Sequence, residues 1–126
     1  MRTFCFALLL LAIIVTGLFL YNSFLVRESD ALLADIDRLS RAVDEENWEK
    51  VDETLDAVLS GWEKASPRLA LFTDHSLLDD ILLTTSAASG YAKTREGPEL
   101  CAEIETLRSL VSHIPMRERL TLYNIF

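Results

Sequence analysis

Glycine and proline are scarce in this chain, four and three among 126 residues, so low-complexity linkers are excluded. Cysteine is scarcer still. Cys5 falls inside a long apolar run and Cys101 lies far from it, so the two cannot pair within one chain. Cysteine usage therefore says nothing about the compartment. Basic charge is also short: only Arg2 of the 12 Lys and Arg precedes the run, leaving 11 against 20 acids, net −9. That balance lacks the clustered basic residues of a nucleic-acid surface. It also opposes adsorption on anionic lipid, where each basic residue contributes about 1 kcal/mol. A nucleophile elbow, P-loop, dinucleotide fingerprint and zinc-protease motif are all missing, and no cofactor is implied.

What is abundant is apolar sequence. Residues 3–26 form 24 consecutive positions without a charge. A helix rising about 1.5 Å per residue crosses a hydrocarbon core about 30 Å thick in roughly 20 residues. The run is long enough to cross. A cleaved signal peptide fits less well, because its apolar segment is usually about 7–15 residues and ends in small residues. Here the apolar stretch reaches Leu20, and Tyr21-Asn22-Ser23-Phe24 is a poor cleavage site. Cys5 stands at the start of the run, which argues against a lipoprotein signal, and too little protein follows to bury the run as a core helix. Residues 1–26 therefore read as an anchor held in the lipid bilayer through residues 3–26. Tyr21 and Phe24 suit an aromatic belt at its outer edge. The short, purely positive N-terminal flank predicts a cytoplasmic N-terminus and an extracytoplasmic domain on the cell membrane.

The remaining residues read as one all-α domain. Leu32, Ile36, Leu39 and Val43 make a helical stripe. Nothing between Val26 and Leu32 breaks a helix, so the membrane helix is expected to run on into the domain as a stiff stalk. Asp44-Glu45-Glu46-Asn47 suits a helix start. From there Trp48, Val51, Leu55, Val58, Leu59 and Trp62 share a face, and both tryptophans are expected in the core rather than stacking on a ligand. Ser66-Pro67 reads as the next boundary. A short apolar piece, Leu69, Leu71 and Phe72, leads to a turn and cap at Thr73-Asp74-His75-Ser76. Leu77, Leu78, Ile81, Leu82, Ala88 and Tyr91 form another stripe. After the break at Gly97-Pro98, Leu100, Cys101, Ile104, Leu107, Leu110, Val111 and Ile114 form the last, which Pro115 is expected to stop. No segment shows strand alternation. The organisation expected is an anchor at 1–26, an antiparallel helical bundle at 27–115 with a core including Trp48, Leu55, Trp62, Ile81 and Leu107, and an apolar tail at 116–126.

In order along the chain stand Asn47-Trp48-Glu49-Lys50, Trp62-Glu63-Lys64, Phe72-x-Asp74-His75, His113-Ile114-Pro115 and Asn124-Ile125-Phe126. With the N-terminal span, these landmarks resemble the domain of unknown function 4363 family, small membrane proteins of Gram-positive anaerobes. The resemblance covers essentially the whole chain. It implies a helical membrane protein and supplies no activity.

Few residues suggest chemistry. Asp74, His75 and Asp79 are the best polar candidates, since His75 and Asp79 would share a helix face. A metal site needs three or four ligands, and His113 is the one other nitrogen donor, so capping by Asp74 is the simpler role. Glu45, Glu49, Asp52 and Asp56 read as a solvated acidic face, and His113 as a last-turn residue complementing the helix dipole. In the tail, Leu120, Leu122, Tyr123, Ile125 and Phe126 crowd into seven positions. Left in water they would form an aggregation-prone patch. Leu122, Tyr123, Ile125 and Phe126 are therefore expected to dock, on the domain itself or on a partner. The expected function is non-enzymatic: a membrane-anchored interaction domain accompanying another membrane protein, with a sensor for a small ligand or cation as the alternative. Self-association is left open, and an enzyme built on Asp74, His75 and Asp79 comes last.

Overall fold

The computed structural model describes residues 1–71 and 73–125, with side chains described through residue 115. Four helices follow one another: α1 (Arg2–Asp44), α2 (Trp48–Leu69), α3 (His75–Lys93) and α4 (Gly97–Ile125). No strand occurs among the described residues. The fold is an all-α bundle with one helix extended beyond it.

That helix is α1, 43 residues without a break. Residues 2–20 are exposed along their whole length, and burial begins abruptly at Tyr21. The exposed half is long and apolar enough to cross a membrane. The other half carries Leu25, Ser29, Leu32, Ile36, Leu39 and Val43 into the core. Their 4-3-4-3-4 spacing is a heptad seam, which keeps one narrow stripe facing its neighbours. Val51, Leu55, Val58, Trp62, Ala65 and Leu69 repeat the same spacing on α2. Leu100, Ile104, Leu107, Val111 and Ile114 repeat it on α4. The core is thus a short antiparallel coiled-coil-like bundle, with α1 packed between α2 and α4, α3 packed on α4, and α2 and α3 touching least.

Cross-helix pairs tie α2 and α4 to α1 and fix the direction of α4 against it. Arg68 of α2 reaches Glu28 of α1 at 3.1 Å, and Arg108 of α4 reaches Asp37 at 3.0 Å. The Ser29 hydroxyl donates to the Val111 carbonyl at 3.0 Å. Numbers therefore rise along α1 as they fall along α4. The α1–α2 and α3–α4 loops lie at the far end, and the α2–α3 turn and the end of α4 lie at the stalk end.

The helix starts have the expected chemistry. Asn47 caps α2, its side-chain oxygen accepting from the Lys50 amide at 3.3 Å, and Asp74 caps α3 by accepting from the Ser76 amide at 3.0 Å. Both far-end loops close with an amide reaching back five residues, Asn47 to Ala42 and Glu96 to Tyr91. This closure needs a left-handed residue. Glu46 (φ 53°) and Arg95 (φ 59°) fill that position where glycine is commoner.

Two expected boundaries are not there. Ser66-Pro67 does not start a helix; Pro67 lies inside α2, near its end. Pro115 does not stop α4, whose backbone stays helical to Ile125, so the expected tail is largely a helix continuation. An internal proline removes the amide that would bond the carbonyl four residues earlier. For Pro67 that carbonyl belongs to Glu63, an exposed residue that water can serve. For Pro115 it belongs to Val111, and the buried Ser29 hydroxyl takes over as donor. Phe72 lies outside the described residues, as do the side chains of Leu122, Tyr123 and Ile125 and the whole of Phe126.

Candidate interaction surfaces of the bundle

At the far end, the expectation of two core tryptophans holds for one. Trp62 is 7% exposed and belongs to the same buried core as Leu55, Ile81 and Leu107. Trp48 is half-buried at the edge of that core. It is the first residue of α2, where the helix end leaves part of the indole uncovered. Arg95 covers it instead, with its guanidinium 5.3 Å from the ring centroid. The same guanidinium donates to both Asp52 oxygens, at 2.9 and 3.0 Å. These bonds hold the Asp52 carboxyl below its ordinary pKa and push Arg95 upward. Asp52 therefore belongs to an α2–loop clamp as well as to the acidic face. That face starts at Glu49, because Glu45 ends α1.

Beside the clamp is a hollow of about 550 Å³ lined by Val43, Asp44, Glu46, Trp48, Arg95 and Cys101, among others. Desolvation pushes the Cys101 thiol up, and the charges of Asp44 and Glu105 push the same way. Such a thiol stays protonated near neutral pH, so it is a poor nucleophile.

The second surface follows the α2–α3 seam. Because these helices touch least, a groove of about 420 Å³ opens between them, lined by Asp52, Leu55, Asp56, Leu59, Ser89, Ala92 and Lys93. On α3, Leu82 is 54% and Leu83 68% exposed. Leu82 was expected in the core stripe. The apolar stripe of α3 is wider than α4 and a loosely packed α2 can cover, so Leu82 remains outside. Leu71, 76% exposed in the α2–α3 turn, is the other large apolar side chain exposed beyond the span among the described residues.

The polar candidates do not converge. Asp74 is spent on its cap, and His75 and Asp79 are exposed on the first turns of α3. His113 is mid-helix rather than in a last turn, because α4 continues past Pro115. Its Nδ1 lies 2.6 Å from the Ser109 carbonyl, which can only accept, so that nitrogen carries the proton. No group of three or more His, Cys, Asp or Glu side chains suited to a metal occurs among the described residues.

Sequence reasoning missed Arg95 and Ser29. A lone arginine in a loop carries no periodic signal. Ser29 does carry one, since it occupies a heptad position in phase with Leu25 and Leu32. No curated protein and no solved structure matches the chain. The family model described as "Domain of unknown function (DUF4363)" matches residues 19–125, from the end of the apolar run through α4. The chain belongs to that family.

Proposed function

We propose that this protein is a non-enzymatic, membrane-anchored interaction domain that accompanies another membrane protein. In this reading residues 3–26 span the cell membrane, the N-terminus is cytoplasmic and the bundle is extracytoplasmic. The observation that carries the proposal is the α2–α3 seam. It is the loosest side of the bundle, and α3, one of its two walls, also carries the exposed Leu82 and Leu83. A well-packed four-helix bundle closes all its sides, whereas an apolar patch rimmed by polar residues is suited to a partner. The continuous stalk of α1 supports a partner in the same membrane, because it holds that seam at a fixed height.

A photo-crosslinking side chain at Leu83 tests this in native membranes, with Glu53 as an exposed control position. The expected result is one integral membrane protein captured from Leu83 and not from Glu53. Equal or no capture at both positions would remove the proposal. The sensor reading draws support from the hollow beside Trp48, where Asp44, Glu46 and Arg95 bring both charge signs to an aromatic ring. A thermal shift of the full chain with a small ligand or cation, abolished by Arg95→Ala, would favour it.

A further inference from the structure

The stalk end of the bundle has a composition that the far end lacks, and its height relative to the span can be read from the register. Ser29 is bonded to Val111 across the antiparallel α1–α4 pair. Moving eight residues back along α1 reaches Tyr21, and moving eight forward along α4 reaches Arg119. Both are helical steps of equal rise, so the two residues stand at about the same level. Tyr21 is the first partly buried residue of α1 and the last before the exposed run toward Arg2. At that level the sequence of α4 changes character. Met116-Arg117-Glu118-Arg119 carries two basic residues, and from Leu120 the chain reads Leu-Thr-Leu-Tyr-Asn-Ile-Phe.

The α2–α3 turn arrives at a similar height. Arg68 pairs with Glu28, and a further three residues along α2 and its turn bring Leu71 level with about residue 25 of α1. Leu71 is exposed there although it is large and apolar. Asp44, Glu45, Glu46, Glu49, Asp52 and Glu53 all lie toward the far end, while at the stalk end Glu28, Asp30, Asp74, Asp79 and Asp80 stand with Arg27 and Arg68 among them.

We infer that the stalk end is seated on the lipid bilayer, with the α2–α3 turn touching the interface through Leu71 and the last turns of α4 entering it. This rests on the reading of α1 as a membrane span, and continuity with that span supplies the occupant. Basic residues are drawn to lipid phosphates and the apolar residues beyond them to the acyl boundary, the arrangement of an interfacial helix. Residues 2–20 of α1 are exposed. Proline at 115 allows α4 to bend from α1 as it reaches the interface.

The test uses the full chain in vesicles of phosphatidylcholine and phosphatidylglycerol. Cys5→Ser and Cys101→Ser remove the native thiols. Single cysteines then enter at Leu11, Leu71, Thr121 and Glu53 for an environment-sensitive fluorophore, and lipids carrying spin labels at two depths act as quenchers. Lipid quenching is expected at Leu11→Cys, Leu71→Cys and Thr121→Cys, with none at Glu53→Cys. If Leu11→Cys is quenched while Leu71→Cys or Thr121→Cys is not, the seat is wrong and the span stands. A Thr121→Cys probe shielded from aqueous iodide yet unquenched by lipid would mean that protein covers the tail, which also overturns the inference. Loss of quenching at Leu11→Cys would instead remove the span on which it rests.

Discussion

Ser29 shows how one hydroxyl repairs a defect made 86 positions later. Pro115 removes the donor for the Val111 carbonyl, and Ser29 supplies it from a heptad position otherwise suited to an apolar side chain. Leaving a buried acceptor unmet costs about 1–3 kcal/mol. Ser29→Ala should therefore lose about that much in urea melts. Pro115→Ala restores the amide, so the same serine substitution in that background should cost clearly less, a coupling that a double-mutant cycle measures. The tryptophans separate by burial. Trp62→Ala should cost about 3–5 kcal/mol, and Trp48→Ala less, because its ring is only partly buried. Asp52 gives a pH signature. Its folded pKa lies below the ordinary 3.8, so the Arg95 pair stabilises the fold above that value and loses its effect as pH falls through the lower folded value. Arg95→Ala should return Asp52 to the ordinary carboxylate range in a carbon-detected NMR titration. Both groups are exposed, so added salt should weaken the effect.

At the scale of the element, most of the fold was legible where spacing carries the information. The seams of α1, α2 and α4 follow from apolar residues recurring every three and four positions. The starts of α2 and α3 follow from Asn47 and Asp74. These caps make a direct prediction: Asn47→Ala and Asp74→Ala should each lower stability by about 1 kcal/mol, seen as a reduced denaturant midpoint at unchanged slope. The prolines were misread because the effect of an internal proline is decided four residues upstream. Whether a carbonyl there finds water, as at Glu63, or a hydroxyl from another helix, as at Val111, is a tertiary fact. The width of the α3 stripe misled for a similar reason. Leu82 looks like core until the looseness of the α2 contact is known. Of the interaction surfaces, the Arg95 clamp had no local signal at all, whereas the apolar tail was plain in the sequence.

At the scale of the molecule, the chain is one long helix with α2 and α4 packed along its second half and α3 packed on α4. Every functional reading depends on where its first half resides. If residues 3–26 lie in lipid, the α2–α3 seam is held at a set distance from the bilayer, and the end of α4 is delivered to its surface. The measurement that tests this most directly is fractionation of the full chain from native membranes washed with alkaline carbonate, followed by intact-mass analysis. The account predicts that the protein stays in the membrane pellet with its N-terminal apolar segment present. Release into the carbonate wash, or recovery of a shortened chain beginning near Phe24, would contradict it.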